Sequence, residues 1–202
     1  MMKTDTLPWS QACENNKGPI LEVLRTWMPA SGHVLEIGTG TAQHVVFFAQ
    51  ALPGLRWLPT DRPGTLEGAT ARIRQAGVAN VATPESLDVL AWPDGITGAF
   101  DAVFSANTAH IMGWPGVEAL FAGVGRVLRP GGRFLLYGPF AYGGEHTAPS
   151  NARFHVTLQQ QDPQSGIRDM DDLLPLAGRH RLRLTEDVAM PANNRTLVWT
   201  RD

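Results

Sequence analysis

From about residue 33 onward the chain alternates between two segment types, short apolar runs bounded by turn residues and longer runs whose apolar residues recur at helical spacing. The short runs, at residues 34–37, 56–59, 100–105 and 133–138 with a weaker one at 80–82, are strand candidates. Such alternation predicts an α/β domain on a mostly parallel sheet, because parallel neighbours need a crossover and helices supply it. The clearest helix carries Val117, Leu120, Phe121, Val124, Val127 and Leu128 in one stripe that should face the sheet. It is expected to stop at Arg129-Pro130-Gly131-Gly132, where proline cannot continue a helix and glycine accepts the positive φ of a tight turn. Upstream, Pro19 suits a first helical position, and Ile20, Leu24 and Trp27 follow every three or four residues, so residues 1–30 read as an N-terminal helical segment.

Two extended segments at 181–190 and 196–201, separated by Pro191-Ala192-Asn193-Asn194, read as an antiparallel pair. Residues 139–168 contain Gly143-Gly144, Pro149 and Pro163, with helical spacing only around Phe154 and Leu158. A compact domain seldom spends so long on a structureless loop, and the stretch is either a surface excursion or a substrate lid.

Composition excludes several classes. A chain of 202 residues suits one domain, 1–202, with one core. Its 17 basic and 19 acidic residues give a net charge of −2, so no broad cationic surface is expected for nucleic acid or an anionic membrane. No run approaches the roughly 18 apolar residues needed to span a bilayer. The single cysteine, Cys13, cannot form an internal disulfide, and the opening Met-Met-Lys-Thr-Asp-Thr leads into no apolar signal-like run, so a cytoplasmic protein is expected. Six histidines are scattered without metal-ligand spacing, and no metal is expected. No sequence feature specifies an oligomeric state.

The chemistry concentrates in Val34-Leu35-Glu36-Ile37-Gly38-Thr39-Gly40-Thr41-Ala42: an apolar strand ending in an acid, two closely spaced glycines, then a helix that Thr41 could cap. Glycine lets the backbone turn sharply and approach a ligand, while the amides of the helix start face the same crevice. The pair is either a nucleotide-cofactor loop or a plain turn. Asp61, about twenty residues further on, sits where a carboxylate can grip both ribose hydroxyls. It could equally be a turn acid before Pro63-Gly64. The coincidence of the two signals favours the cofactor.

At this point the chain resembles the class I S-adenosylmethionine-dependent methyltransferases, from about Asn15 to its end. The motifs are Glu36 to Gly40, then Asp61, then an adenine-side acid, Asp88, in Ser86-Leu87-Asp88-Val89. A fourth strand, Phe100-Asp101-Ala102-Val103-Phe104-Ser105, and the Leu128-Arg129-Pro130-Gly131-Gly132 turn follow. The resemblance implies a Rossmann-like, seven-stranded, mostly parallel sheet with an antiparallel last strand and helices on both faces. It implies S-adenosyl-L-methionine as cofactor, held by Glu36, Gly38, Thr39, Gly40, Asp61, Arg62, Leu87, Asp88, Val89 and Ser105. More narrowly the chain is similar to the group called domain of unknown function 938, or methyltransferase-like 26. The matching stretches are Glu14-Asn15-Asn16-Lys17-Gly18-Pro19-Ile20, Asn107-Thr108-Ala109-His110, Gly138-Pro139-Phe140 and Ser150-Asn151. That group has no established substrate.

The expected reaction is in-line methyl transfer to a small-molecule acceptor, in which the protein mainly orients an acceptor atom. His110, just past the fourth strand, has an ordinary pKa of about 6.5 that would let it act as a general base or orient the acceptor; alternatively it only hydrogen-bonds in the crevice wall. Asn15, Asn16, Asn107, Ser150, Asn151 and Arg195 are candidates for acceptor contacts, or else solvated caps and turn residues. Tyr137 and Phe140 either wall that pocket or simply pack. No Asp-Pro-Pro-Tyr or Asn-Pro-Pro-Tyr follows the fourth strand, where Ser105-Ala106-Asn107-Thr108 stands instead, which argues against exocyclic nucleobase amines and glutamine amides as acceptors. Two competitors stand beside this reading. A nicotinamide-dependent oxidoreductase would want a small residue where Gln43 lies. A binding or scaffold protein could keep the fold and even the cofactor without turnover.

Overall fold

The computed structural model describes residues 7–96 and 100–202; residues 1–6 of the expected N-terminal segment, with the opening read for a signal, lie outside the described residues. The first helix, α1 (Gln11–Trp27), is capped by Ser10, whose Oγ accepts the Cys13 N–H at 3.3 Å. Pro19 therefore lies inside α1 and not at its start, a correction to the sequence reading. Proline's preference for a first turn pointed to Pro19, but the helix starts at the Ser10 cap, nine residues earlier. Proline there offers no N–H to the carbonyl of Asn15, one turn back. The helix survives because Ile20, Leu21, Val23 and Leu24 bury its apolar face.

Then come β1 (Gly32–Ile37), α2 (Gln43–Ala51), β2 (Leu55–Asp61), α3 (Glu67–Ala76), β3 (Glu85–Ser86) and β4 (Phe100–Ala106). They are followed by α4 (Trp114–Val127) and β5 (Leu128–Gly138). After β6 (Phe140–Tyr142), β7 (Glu145–His146), α5 (Pro149–Gln161), β8 (Arg168–Asp169) and α6 (Met170–Arg179), the chain ends in β9 (Leu182–Met190) and β10 (Asn194–Arg201). Seven strands form one sheet in the order β3-β2-β1-β4-β5-β10-β9. All neighbours pair in parallel except β10, which runs antiparallel to both β5 and β9.

Strand side chains alternate between the two faces, as the period of two requires. Val34, Trp57, Phe104 and Leu135 pack with α1, α2 and α3 through Leu24, Val45, Phe48 and Ala69. Leu35, Val103, Phe134 and Trp199 pack on the opposite face with α4 and α6 through Leu120, Phe121, Val124 and Leu173. The expected stripe on α4 is buried there, although Leu128 opens β5 and does not close the helix. Helices thus cover both faces of the sheet. Among the described residues, no helix is long and apolar enough to cross a membrane.

Two expectations change. The third strand is Glu85–Ser86, not residues 80–82, where Val81 makes only an isolated bridge to Trp57. The Asn80 carboxamide donates to the carbonyls of Ala49, Leu52 and Leu55, which holds that segment as a connector. Residues 139–168 are no loop: they build a three-stranded sheet, β7-β6-β8, and a 13-residue helix, with Ala141, Leu158 and Ile167 as a small core of their own. Short strands of two or three residues show no alternation to read, which is why the segment looked irregular.

Phe104 fills the space between sheet and α2, edge-on to Phe48 at 5.5 Å, to Trp57 at 6.5 Å and to His44 at 6.3 Å. Phe104→Ala is expected to cost about 3–5 kcal/mol of stability. Urea denaturation should show a lower midpoint at unchanged slope.

Candidate functional site

Parallel strands deliver their following turns to one edge, and a cleft of about 1350 Å³ opens there. Pockets for a single small ligand are roughly 300–1,000 Å³, so this one has room for two. Its first wall is the turn after β1. Gly38 (φ +81°) and Gly40 (φ +54°) take the left-handed conformation, and Ala42 follows at φ 58°. A Cβ on Gly38 would lie 2.5 Å from Thr108 Cγ2, whereas one on Gly40 would meet no protein atom within 4 Å. Gly38 is therefore needed for packing, and Gly40 leaves the loop open towards a ligand. Thr41 does not cap α2, contrary to expectation: Ala42 occupies the cap position, no side chain caps it, and the Thr41 hydroxyl donates to Gln43 Oε1 at 2.9 Å.

Asp61 ends β2 beside this loop. Its Oδ2 accepts the Gly40 N–H at 2.7 Å and its Oδ1 accepts the Arg62 N–H at 2.8 Å, so the carboxylate and the loop form one unit on the cleft. Arg62, Leu87, Asp88 and Val89 line the same end, and Asp88 Oδ1 accepts the Leu90 N–H at 3.0 Å. Glu36 is only 2% exposed and lies beneath the loop, off the cleft lining. Burial raises its carboxyl to about 7, with the nearby Asp61 charge adding to the rise. Among the described residues neither Glu36 Oε2 nor the Thr39 hydroxyl makes a well-formed hydrogen bond, although the hydroxyl lies close enough to the carboxyl to offset part of that rise. Ser105 also stands behind the lining, donating to the Ile37 carbonyl at 2.7 Å and sharing a 2.6 Å hydrogen bond with Thr108.

At the other end the structure brings together Asn15, Asn16, Asn107, His110, Tyr137, Ser150 and Asn151. Asn107 adopts φ 57° and donates its N–H to the Tyr137 carbonyl, joining the ends of β4 and β5. Asn151 donates to the Asn193 carbonyl at 2.9 Å, and Asn193 donates to Ser150 Oγ at 3.2 Å. The start of α5 is thereby tied to the turn between β9 and β10 across the cleft rim. Two of the anticipated residues stay outside. Phe140 is buried in the core beneath β5. Arg195 is spent on Asp187, with Nε to Oδ1 at 2.7 Å and Nη2 to the backbone carbonyl at 2.9 Å.

The sequence model of a family described as "Protein of unknown function (DUF938)" matches residues 7–201. The chain belongs to this family. Solved structures similar to this DUF938 chain include the mitomycin 7-O-methyltransferase MmcR (17% identity, TM-score 0.80, covering 95% of this chain and 54% of that one). The S-adenosylmethionine-dependent methyltransferase SibL in its apo form matches at 23% identity and TM-score 0.77, over 94% of this chain and 55% of that one. An O-methyltransferase family protein from Burkholderia thailandensis matches at 15% identity and TM-score 0.80, over 95% and 57%. The likeness is one of fold, the Rossmann-like class I methyltransferase fold, and the DUF938 chain spans little more than half the length of these neighbours.

The DUF938 cleft also contains residues that the sequence reading missed. His44, Ser10, Cys13 and Thr108 line it. His44 Nε2 lies 2.6 Å from Asn16 Oδ1, and its ring stacks on Phe48 at 5.3 Å. The available signal was the pair Gln43-His44, two polar residues preceding the apolar run 45–49.

Burial pulls His44 down to about 4, and burial together with the Arg168 charge does the same to His110. The expected near-neutral pKa of His110 therefore does not hold, and its imidazole is uncharged throughout the neutral range. Unfolded histidines take up protons near pH 6.5. Between about pH 6.5 and 4 the unfolded chain binds more protons than the native one, so these histidines make stability fall as the pH drops through that window. Glu36 has the opposite sign: its contribution is full below 4.5 and is lost as the pH rises through about 7. His110→Phe is expected to flatten the acid limb by about 1–3 kcal/mol between pH 7 and pH 4.5. Denaturant titrations at the two pH values measure this, and an unchanged acid limb would contradict a buried neutral imidazole.

Proposed function

We propose that the chain transfers the methyl group of S-adenosyl-L-methionine to a small molecule. The observation that carries this reading is the joined unit of Gly40 and Asp61, held by a 2.7 Å hydrogen bond, on a cleft with room for a second ligand. The residues present fit the cofactor. Asp61 supplies a carboxylate for vicinal ribose hydroxyls, and Gly40 leaves open space in front of the loop. When bound, the cofactor supplies a methyl group already activated on a positively charged sulfur.

In this reading Gly38, Thr39 and Gly40 approach the ligand with backbone, Asp61 holds the ribose, and Leu87, Asp88 and Val89 with Arg62 flank the adenine. Glu36 and Ser105 act from behind, setting the loop's charge and position. Asn15, Asn16, Asn107, Tyr137, Ser150 and Asn151 face the acceptor. His110 accepts a hydrogen bond from the acceptor's protic group and orients it. With its pKa near 4 it is a weak base, so positioning supplies more of the rate than proton abstraction. Phe140 and Arg195 have structural roles only.

Support against a nicotinamide cofactor comes from Gln43. Its buried carboxamide accepts the Ser10 N–H at 2.6 Å and donates to Glu14 Oε1 at 2.7 Å, anchoring α1 where a dinucleotide loop would need a small residue. Kinship to the methyltransferase-like 26 group, a single-domain organisation and a cytoplasmic location belong to the same proposal.

Calorimetry is expected to detect binding of S-adenosylhomocysteine and no heat with NAD or NADP. Asp61→Ala should weaken that binding at least about tenfold, since it removes charge-assisted hydrogen bonds of about 1.5–3 kcal/mol each. Binding of the dinucleotide alone, or an unchanged affinity in the variant, would overturn the proposal.

A further inference from the structure

The two ends of the cleft differ in charge and texture. Among the described residues, Arg62, next to Asp61, is the one Lys or Arg lining the cleft. At the far end an acid, Asp162, reaches the lining. Arg168 runs nearby, but its guanidinium is occupied, donating to the carbonyls of Ala109 at 3.0 Å, Gln164 at 2.9 Å and Met112. Arg195 is engaged by Asp187. The Arg168 charge reaches His110, but Asp162 offsets it and its N–H groups are spent on carbonyls, so an anionic group entering this end would be desolvated without a hydrogen-bonded cation, which is costly.

Apolar side chains stand where such a group would have to pass. Ile111 is 54% exposed and Phe154 40% exposed, and both line the cleft beside Met112. The rings of Phe154 and His110 meet edge to face, with centroids 5.3 Å apart and planes at 69°, making a corner walled by two flat surfaces. Within that corner His110 is 6% exposed, and among the described residues no protein group hydrogen-bonds its ring nitrogens. The ring nitrogens are not sealed away from the cleft, so the neutral ring presents one acceptor nitrogen to a ligand there.

We propose that this half of the cleft takes an uncharged, flat, mostly apolar molecule that donates one hydrogen bond to His110, and that it rejects acceptors carrying a carboxylate or phosphate. The inference rests on the methyl-transfer reading and adds the class of the acceptor. Ring faces pack on Ile111, Met112 and Phe154, and the hydroxyl, amine or thiol to be methylated is the group that points at His110. Among the described residues this end offers no cation with N–H groups left to pair an anion, which makes the selection one of exclusion as well as fit.

The test uses full-length protein saturated with S-adenosylhomocysteine and three ring-matched probes, naphthol, its methyl ether and hydroxynaphthoate, titrated by calorimetry. Naphthol is expected to bind at least about tenfold more tightly than either of the others. His110→Phe should abolish the preference for naphthol over the ether. Ile111→Lys, at an exposed position outside the core, should improve hydroxynaphthoate binding while leaving S-adenosylhomocysteine affinity unchanged. Hydroxynaphthoate binding as tightly as naphthol, an ether bound as tightly as naphthol, or no naphthol binding to the loaded protein would each overturn the inference alone. Failure to load S-adenosylhomocysteine in the first titration would remove the methyl-transfer reading as well.

Discussion

The parallel register of β1 with β2 and β4 governs the molecule. Ile37 pairs with Thr60 on one side and with Ser105 on the other, so Gly38, Asp61 and Ala106 all arrive at the same edge. The loop after β1 is then locked from both neighbours. The Thr60 carbonyl accepts the N–H groups of Gly38 and Thr39, both at 2.9 Å, and the Ser105 hydroxyl holds the Ile37 carbonyl. A one-residue slip would exchange the two faces of β1, exposing Val34 to the wrong core and carrying Gly38 away from Thr108. The packing of two apolar cores therefore fixes the register that places the cleft's chemistry.

Having placed these groups, the fold leaves several of them poorly solvated. Glu36 is raised to about 7 and His44 and His110 are lowered to about 4, each chiefly by burial. Each is thus pushed towards its uncharged form; His44 finds Asn16, Glu36 stays beneath the loop, and His110 faces the cleft, where an incoming ligand can supply a partner. Polar groups buried without partners reduce stability, and they are tolerated where function needs them. The rim is treated differently: Asn151, Ser150 and Asn193 bond to one another, which fixes α5 against the β9–β10 turn.

Much of the fold was legible because its signals are periodic. The runs containing Val34, Trp57, Val103 and Leu135 are buried on both faces of the sheet and read as short apolar segments, and the stripe from Val117 to Val127 reads as a helix. The turn at Pro191-Ala192-Asn193-Asn194 announced the antiparallel pair. Legibility failed where a tertiary contact decided the outcome. Ser10 wins the start of α1 over Pro19 through its own cap and through a tertiary contact, Gln43 of another helix accepting the Ser10 N–H. The strands β6, β7 and β8 are too short to carry a period, and α6 contains Pro175, a residue that argues against a helix. In the site, Asp61 was legible from its distance to the glycines. His44 was not, because only the packing of α1 on α2 brings it to Asn16. Arg195 and Phe140 lie next to residues at the cleft, and sequence proximity cannot show that one turns to Asp187 and the other into the core.

A crystal structure of the protein grown with S-adenosylhomocysteine tests the central claim most directly. The expected result is the adenosyl group between the Gly38–Gly40 backbone and the Asp61 carboxylate, with the sulfur directed towards the His110 end of the cleft. Density for the ligand elsewhere, or an empty cleft with the Gly40 to Asp61 hydrogen bond unchanged at saturating ligand, would contradict it.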